Sequence, residues 1–295
     1  MSSSSESVIA RSEVRFLHSR IVGDEFKLFI AHPVLPVAPG QKLPVIYALD
    51  ANGAFGTVTE TARVLQMTGE LPNGYVIGIG YRKGSLLETL AIRARDYTPI
   101  ESPGFNRNYP KIMGLTEPVA TGGAPAFLRF VREELKPYVE REFAADPGDA
   151  TISGASFGGL FPTYVLLNQP NTFQRYIICS PSLAYEHDLM FRQEAAYAAG
   201  HQDLAARVFL TCGGLENEQE ALAQLQKLPP EMVSAVREIW GGRLQMVELL
   251  HPFAEQLRSR RYPSLELTTH VFPEEHHHSV YPAAVSRGLR VVFSK

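Results

Sequence analysis

The stretch Gly154-Ala155-Ser156-Phe157-Gly158 decides the fold of this chain. The segment 149–153 leads into it as a short buried strand, and the apolar segment 159–167 follows it as a helix. A G-x-S-x-G match between a strand and a helix predicts a nucleophile elbow, in which a strained turn raises the serine hydroxyl above the sheet. The small residues around Ser156 allow strand and helix to pack closely. The alternative is a structural strand–helix turn that carries no chemistry.

Strands and helices alternate along the rest of the chain. The alternating segments 14–18 and 26–30 flank Gly23-Asp24 and predict an antiparallel hairpin. Near-continuous apolar or β-branched runs, typical of parallel strands covered on both faces, follow at 45–49, 75–79, 149–153, 176–179, 208–212 and 268–272. The segment 124–143 has the clearest helical spacing of apolar residues. The sequence predicts an α/β-hydrolase fold with about eight mostly parallel strands, helices on both faces, and the nucleophile after the fifth strand.

Composition limits the class of protein. The 295 residues are 45% hydrophobic and 20% charged, which is typical of a soluble globular protein with a large core. A net charge of -3 gives no basic footprint for nucleic acid, and no apolar run approaches the ~20 residues of a membrane-spanning helix. We expect residues 1–10 to form a disordered tail and residues 11–295 to form one domain. The serine-rich start has no secretory pattern, which predicts a cytoplasmic protein. The sequence leaves the oligomeric state open.

A serine nucleophile needs a general base, and the base needs an acidic residue that fixes its tautomer. In an α/β-hydrolase both follow the nucleophile along the chain, the acid first. Glu216 lies just past the strand 208–212, where the loops of a parallel sheet converge. Glu218 and Glu220 follow closely and stay open as alternatives, because a carboxylate after a strand is often only a helix N-terminal charge.

The base is expected in the run His276-His277-His278, just past the strand 268–272. Three consecutive histidines could instead bind a metal or form a solvated loop. Adjacent residues do not easily face one zinc ion, and the sequence has no Cys/His cluster with ligand spacing elsewhere, so catalysis is favoured and no metal or organic cofactor is expected. The two cysteines, Cys179 and Cys212, lie in apolar strands and are expected to be buried thiols rather than a disulfide.

At these residues the chain resembles the putative-esterase (esterase D-like) family of α/β-hydrolases, which includes trilactone siderophore esterases, feruloyl esterases and mycolyltransferases. The likeness runs from about Arg15 to the carboxyl terminus and is strongest to the siderophore-esterase branch. Besides the elbow, the segments that carry it are 44–50, 93–99, 179–183 and 277–280.

This resemblance implies a catalytic triad. Ser156 would be the nucleophile and Glu216 the acid. The family's histidine lies two residues before a Ser-Val pair, which selects His277 over its two neighbours as the base. The sequence departs from the family pattern at His278, where a small residue is common, and this departure affects the detail of the pocket.

The oxyanion hole is expected to be formed by backbone N–H groups. One belongs to Phe157, the residue after the nucleophile. By resemblance the second belongs to Asn52, with Ala51 as the alternative, and Asp50 braces that loop. Ala51 stands where glycine is common in the family, which affects the detail of the loop.

Substrate-binding residues are less marked. Arg93 and Arg95 follow the fourth strand and are candidates to pair with an anionic or catecholate acyl group, although surface arginines are common. Helices within 183–199 and 231–258 are expected to cover the site. Three aromatic residues could line a pocket or belong to the core: Tyr185, Trp240 and Phe253.

The sequence therefore predicts a serine carboxylesterase that acts on a small-molecule ester without partners such as nucleic acid or membrane. Ser156 attacks the ester carbonyl, His277 transfers the proton to the leaving alcohol, and water releases the acyl group. By resemblance, the substrate is a siderophore trilactone or another bulky ester or lactone. An acyltransferase with the same triad and a catalytically silent binding protein of the same fold remain as alternatives.

Overall fold

An eight-stranded sheet forms the centre of the molecule. The computed structural model describes residues 9–82, 86–115, 119–240 and 246–294. Within these ranges the strands are β1 (Ser12–Ser19), β2 (Asp24–Ala31), β3 (Leu43–Ala48), β4 (Tyr75–Tyr81), β5 (Ala145–Ala155), β6 (Arg175–Cys179), β7 (Ala206–Gly213) and β8 (Leu265–Phe272).

The strands lie in the order β1-β2-β4-β3-β5-β6-β7-β8. β2 pairs antiparallel with β1 and β4, and all other neighbours are parallel. The predicted mostly parallel sheet of eight strands with an N-terminal antiparallel hairpin is therefore confirmed. Ser156 follows the fifth strand, as expected. β4 is buried at every residue, whereas burial along the edge strand β1 tends to alternate, because an edge strand has a face toward solvent.

Helices connect the strands and cover both faces of the sheet. The described helices are α1 (Ala51–Met67), α2 (Leu86–Tyr97), α3 (Pro103–Met113), α4 (Ala124–Phe130), α5 (Lys136–Glu142), α6 (Phe157–Asn168), α7 (Leu189–Gly200), α8 (Glu218–Leu225), α9 (Pro230–Trp240), α10 (Met246–Ser259) and α11 (Val280–Phe293). α1 and α11 pack on one face, and α4, α6 and α10 contribute to the larger core on the other. Among the described residues, no helix is long and apolar enough to span a membrane.

The predicted helix 124–143 is interrupted by a wider turn. α4 and α5 are joined without a break by a π-helical turn, Val131–Leu135, which ends with the N–H of Lys136 donating to the carbonyl of Val131. Pro137 follows directly, and a proline inside a helix lacks the N–H and clashes with the carbonyl four residues earlier. A wider turn before it relieves that clash, and π turns of this kind are local insertions in α-helices.

The structure bears differently on three other predicted segments. Residues 183–188 form turns, and the helix predicted from Leu183 begins only at Leu189. The helices α9 and α10 flank residues 241–245, which lie outside the described residues, as does the side chain of Trp240. Residues 1–8 of the predicted tail are also outside the described ranges. Ile9, which belongs to the same predicted tail, packs against α1.

Candidate active site

The turn between β5 and α6 has the geometry of a nucleophile elbow. Ser156 has φ 62° and ψ -119°, a strained conformation for a residue with a side chain. A β-carbon added at Gly154 would lie 2.1 Å from the carbonyl oxygen of Gly158, and one added at Gly158 would lie 2.7 Å from Oδ2 of Asp50. The glycines on both sides of Ser156 are therefore required by close approach of the neighbouring backbone and side chain.

Glu216 follows β7 and is held by three donors. Its Oε1 accepts hydrogen bonds from Oγ of Ser180 at 2.5 Å and from the N–H of Gly213 at 2.7 Å. Its Oε2 lies 2.6 Å from Nδ1 of His277, a residue that follows β8. The carboxylate is almost fully buried, with 4% of its side chain exposed. Burial alone raises the pKa of this carboxyl, but the hydrogen bond and charge of His277, with the bonds from Ser180 and Gly213, lower the pKa overall.

The two alternative acids lie elsewhere. Glu218 and Glu220 are in the first turn of α8, and Glu218 is exposed. Oδ1 of Asn217 caps this helix by accepting from the N–H of Glu220 at 3.0 Å. The cap at Asn217 starts the helix directly after Glu216, so the two later carboxylates lie in its first turn. Of the three candidates, Glu216 is the one that contacts His277.

The three histidines are not equivalent. His277 is half-buried and bonded to Glu216, whereas His276 and His278 are exposed. Burial of part of its ring, followed by the neighbouring charge of His277, lowers the pKa of His278. The contact of Nδ1 with Glu216 directs the other ring nitrogen of His277, Nε2, away from the acid. In the described part of the chain, no group of three or more His, Cys, Asp or Glu residues is arranged to hold a metal ion.

These side chains open into one cavity of about 510 Å³. Ser156, Glu216 and His277 all line it, although they follow three different strands. The other lining residues are Ser182, Leu215, Asn217, Ala221, Gln224, Met246, His276 and His278. The volume is in the range of ligand-binding clefts, which are about 300–1,000 Å³. The cavity thus brings a hydroxyl, an imidazole and its carboxylate to the carboxyl edge of the sheet.

The two predicted oxyanion residues occupy helix N-termini on this edge. Phe157 is the first residue of α6, and Asn52 is the second residue of α1. N–H groups in the first turn of a helix have no acceptor within that helix and point toward its N-terminal end. The Asn52 side chain is fixed by the backbone of Tyr81: its Oδ1 accepts from the N–H at 2.7 Å, and its Nδ2 donates to the carbonyl at 3.0 Å.

The two arginines predicted as substrate-binding candidates pair with protein carboxylates. Arg93 is 8% exposed, and its Nε and Nη2 bond Oδ1 and Oδ2 of Asp50 at 2.7 and 2.9 Å. Arg95 bonds the buried Asp96 and, at 3.2 Å, Asp24. Neither arginine lines the cavity described above. Burial lowers the pKa of Arg93, but Asp50 more than offsets this, so its pKa is raised and the guanidinium is charged.

The aromatic candidates whose side chains are described belong to the core. Phe253 is 1% exposed and packs edge-on against Phe191. Tyr185 is also 1% exposed, and its hydroxyl donates to the carbonyl of Ile100 at 2.7 Å. Neither is among the residues that line the cavity.

Comparison with known proteins identifies the family. The family model described as Putative esterase matches residues 19–238. The chain belongs to this esterase family. The ferri-bacillibactin esterase BesA of Bacillus subtilis is 32% identical over 288 residues, which is 96% of this chain and 89% of that protein. The siderophore enterobactin esterase of Emericella nidulans is 28% identical over 256 residues, which is 85% of this chain and 82% of that protein.

A solved structure has the same fold. The BES protein from Bacillus cereus superimposes with a TM-score of 0.77 at 26% identity, over 99% of this chain and 98% of that one. The predicted membership of the esterase D-like family, close to its siderophore-esterase branch, is therefore confirmed.

Sequence reasoning assigned no role to one polar residue of this esterase. Ser180 is fully buried and donates to the same oxygen of Glu216 that accepts from Gly213. It lies in the segment 179–183 on which the family resemblance rested, directly after β6. The sequence signal for such a role is a serine directly after a buried strand that neighbours the elbow. Only the fold shows that Ser180 contacts Glu216, 36 residues later in the chain.

Three non-glycine residues at this edge of the esterase have positive φ angles. Asp50, Ser156 and Ser180 follow β3, β5 and β6, and their φ angles are 54°, 62° and 41°. These three strands are neighbours in the sheet. Non-glycine residues with positive φ are uncommon and cluster at functional sites.

Proposed function

We propose that this esterase is a serine carboxylesterase that works through an acyl-enzyme. The observation that carries the proposal is the shared cavity of Ser156, His277 and Glu216, with Nδ1 of His277 2.6 Å from the Glu216 carboxylate. That contact leaves Nε2 of His277 as the nitrogen that accepts a proton from the serine hydroxyl. Glu216 holds the ring in this tautomer and stabilises its protonated form.

The reaction then has two halves. Ser156 attacks the ester carbonyl while His277 takes the hydroxyl proton, and the tetrahedral oxyanion is bound by backbone N–H groups of Phe157 and Asn52. His277 next donates its proton to the leaving alkoxide, which departs as the alcohol. Water attacks the acyl-enzyme with the same base, and release of the acid regenerates Ser156.

We propose a siderophore ester, such as a trilactone, as the substrate. The support is the relatives: the Bacillus subtilis protein is named a ferri-bacillibactin esterase and the Emericella nidulans protein a siderophore enterobactin esterase. The cytoplasmic location expected from the sequence remains part of this proposal. Each ester bond of a trilactone would pass through the same two half-reactions, so one cavity serves all three bonds.

The test combines a covalent probe with turnover. Wild type, Ser156→Ala and Ser153→Ala are treated with a fluorophosphonate and assayed on p-nitrophenyl esters and a catecholate trilactone. Ser153 is a matched control, because it is a fully buried serine three residues before Ser156 whose Oγ bonds the Tyr281 hydroxyl at 3.1 Å. We expect labelling and turnover in wild type and Ser153→Ala, and loss of both in Ser156→Ala, with turnover reduced about 10⁴-fold or more.

Each part of the proposal has its own contrary result. An unlabelled, inactive but folded wild type would contradict the serine mechanism and favour the binding-protein alternative. Rapid cleavage of simple esters without cleavage of any siderophore ester would remove the substrate class only. Transfer of the acyl group to an added alcohol in preference to water would favour the acyltransferase.

A further inference from the structure

The proposed oxyanion hole is assembled from two separate segments of the chain. One donor, Asn52, is on the loop between β3 and α1, and the other, Phe157, is on the elbow between β5 and α6. Two donors act on one oxygen only if both stay within about 2.7–3.1 Å of the position that the oxyanion takes. The paired strands β3 and β5 hold the two segments side by side as far as the bond from the N–H of Leu49 to the carbonyl of Ser153. Beyond that bond, the spacing depends on groups that touch both segments.

Arg93 is in contact with both segments. Its guanidinium makes a two-point hydrogen bond with Asp50, the N-cap residue of α1 and the start of the first segment. Its Nη2 also donates to the carbonyl of Ala155 at 3.2 Å, directly before Ser156 in the second segment. Its Cζ lies 5.5 Å from the ring centroid of Phe157, within the range of a cation–π contact.

Asp50 is held from several directions. Its backbone has φ 54° and ψ 34°, and its N–H donates to the Tyr97 hydroxyl at 3.3 Å. The space that a β-carbon of Gly158 would need is taken by Oδ2 of Asp50, so the carboxylate lies directly against the elbow. Arg93 and Tyr97 are both on α2. This helix therefore holds the loop through both side chains, which bond Asp50, and holds the elbow through the Arg93 guanidinium, which bonds the Ala155 carbonyl.

We propose that Arg93 is a positioning residue that sets the geometry of the oxyanion hole, acting through Asp50 on one side and the Ala155 carbonyl on the other. The inference rests on the serine esterase mechanism proposed above. Arg93 is buried, and its guanidinium nitrogens bond Asp50 and the Ala155 carbonyl, so its role is to hold these groups and not to bind the substrate. Its planar fork is what the two-point contact needs, and a lysine ammonium keeps the charge without that geometry.

The proposal is tested with Arg93→Lys, and Arg260→Lys is the matched control. Arg260 also makes a two-point contact with a fully buried carboxylate, at 2.9 Å from each oxygen of Glu194. That pair joins α7 to the residues after α10 and lies outside the cavity lining. Both variants are measured for kcat and KM on a p-nitrophenyl ester, for inhibition by an alkyl boronic acid that forms a tetrahedral adduct, and for Tm.

For Arg93→Lys we expect kcat to fall about 10²-fold or more, since loss of one oxyanion donor has that effect. KM should stay within about 3-fold, because the interaction is made in the transition state and not in the ground state. Boronic acid binding should weaken in parallel with kcat. Arg260→Lys should keep kcat and boronic acid binding within about 3-fold of wild type.

Several results would overturn this role. An unchanged kcat in Arg93→Lys, a rise in KM alone, or equal losses in both arginine variants would each do so. If Arg93→Lys does not fold, Asp50→Asn breaks the same contact with a side chain of equal size. Full kcat in that variant would refute the positioning role of Arg93. Turnover that depends on Ser156 but not on Arg93 or Asp50 would exclude the positioning role and leave the serine mechanism intact. A wild type without such turnover removes both.

Discussion

Replacing Glu216 with glutamine should leave the shape of the site intact and reverse one hydrogen bond. In the wild type, Oε1 of Glu216 accepts from the N–H of Gly213, a donor that cannot become an acceptor. A glutamine must therefore keep its carbonyl oxygen at that position. Its NH₂ group then faces Nδ1 of His277, where the carboxylate oxygen now lies at 2.6 Å.

This fixed orientation selects the wrong tautomer of the base. An NH₂ donor facing Nδ1 requires that nitrogen to accept, so the ring proton moves to Nε2. Nε2 can then no longer take the proton of Ser156. The equivalent acid-to-amide change in a serine protease lowers kcat about 10⁴-fold, which corresponds to about 5.5 kcal/mol of transition-state stabilisation. We expect a loss of that order in Glu216→Gln.

The assay is kcat on a p-nitrophenyl ester near neutral pH, with Tm as a check on folding. Glu218→Gln is the control, because this carboxylate is exposed in the first turn of α8 and does not contact His277. It should keep kcat within about 2-fold. The reasoning is refuted if Glu216→Gln retains more than a tenth of wild-type kcat while folded, or if Glu218→Gln loses as much.

Four further predictions follow from the same geometry. Gly154→Ala places a β-carbon 2.1 Å from a backbone carbonyl oxygen of the elbow and should cost about 1–3 kcal/mol or more, measured by urea unfolding; wild-type stability would contradict this. Ser180→Ala removes a 2.5 Å hydrogen bond to the charged carboxylate of Glu216. It should lower the free energy of unfolding by about 1.5–3 kcal/mol and kcat by ~10-fold. No change in either quantity would exclude a positioning role for Ser180. Burial raises the pKa of Cys179 to about 12, and Cys212 is also buried with a raised pKa, so iodoacetamide at pH 8 should modify both thiols only after unfolding, as followed by mass spectrometry. Burial raises the pKa of Glu216, but its hydrogen bonds outweigh this and hold the folded pKa below 4.5. The contribution of this carboxylate to stability is therefore complete above pH 4.5 and is lost as the pH falls through the lowered folded pKa. Acid titration of the unfolding free energy should show a steeper fall in wild type than in Glu216→Gln, and parallel curves would contradict this.

The fold was predictable because its signals are local. Each buried strand is a short apolar run, and the elbow is recognisable within five residues because glycines are required there by contacts of 2.1 and 2.7 Å. The order of acid and histidine after the nucleophile then follows from the fold class. Local patterns of this kind also led to the interpretation of Cys179 and Cys212 as buried thiols, which the described cysteines match.

Contacts between distant segments were harder to predict. Arg93 meets Asp50 across 43 residues, and the sequence shows an arginine after a strand without showing which way it points. Glu216 and Glu218 are two residues apart, and the choice between them depends on where Asn217 starts α8. The helix at 183–199 starts late because Glu186 and His187 adopt positive φ angles, for which neither residue type gives a strong signal.

The three positive φ angles at Asp50, Ser156 and Ser180 set a limit on engineering this enzyme. Residues in such conformations each cost on the order of 1–3 kcal/mol, and the surrounding packing offsets that cost. Glycine would relieve the strain at Ser156, yet it would remove the nucleophile. At Asp50 and Ser180 it would also remove a hydrogen-bond partner of Arg93 or Glu216, and that loss opposes any gain in stability. Heat tolerance and turnover are thus opposed at this edge of the sheet. A more durable catalyst has to be sought by substitutions on the far ends of the strands and on the outer helices.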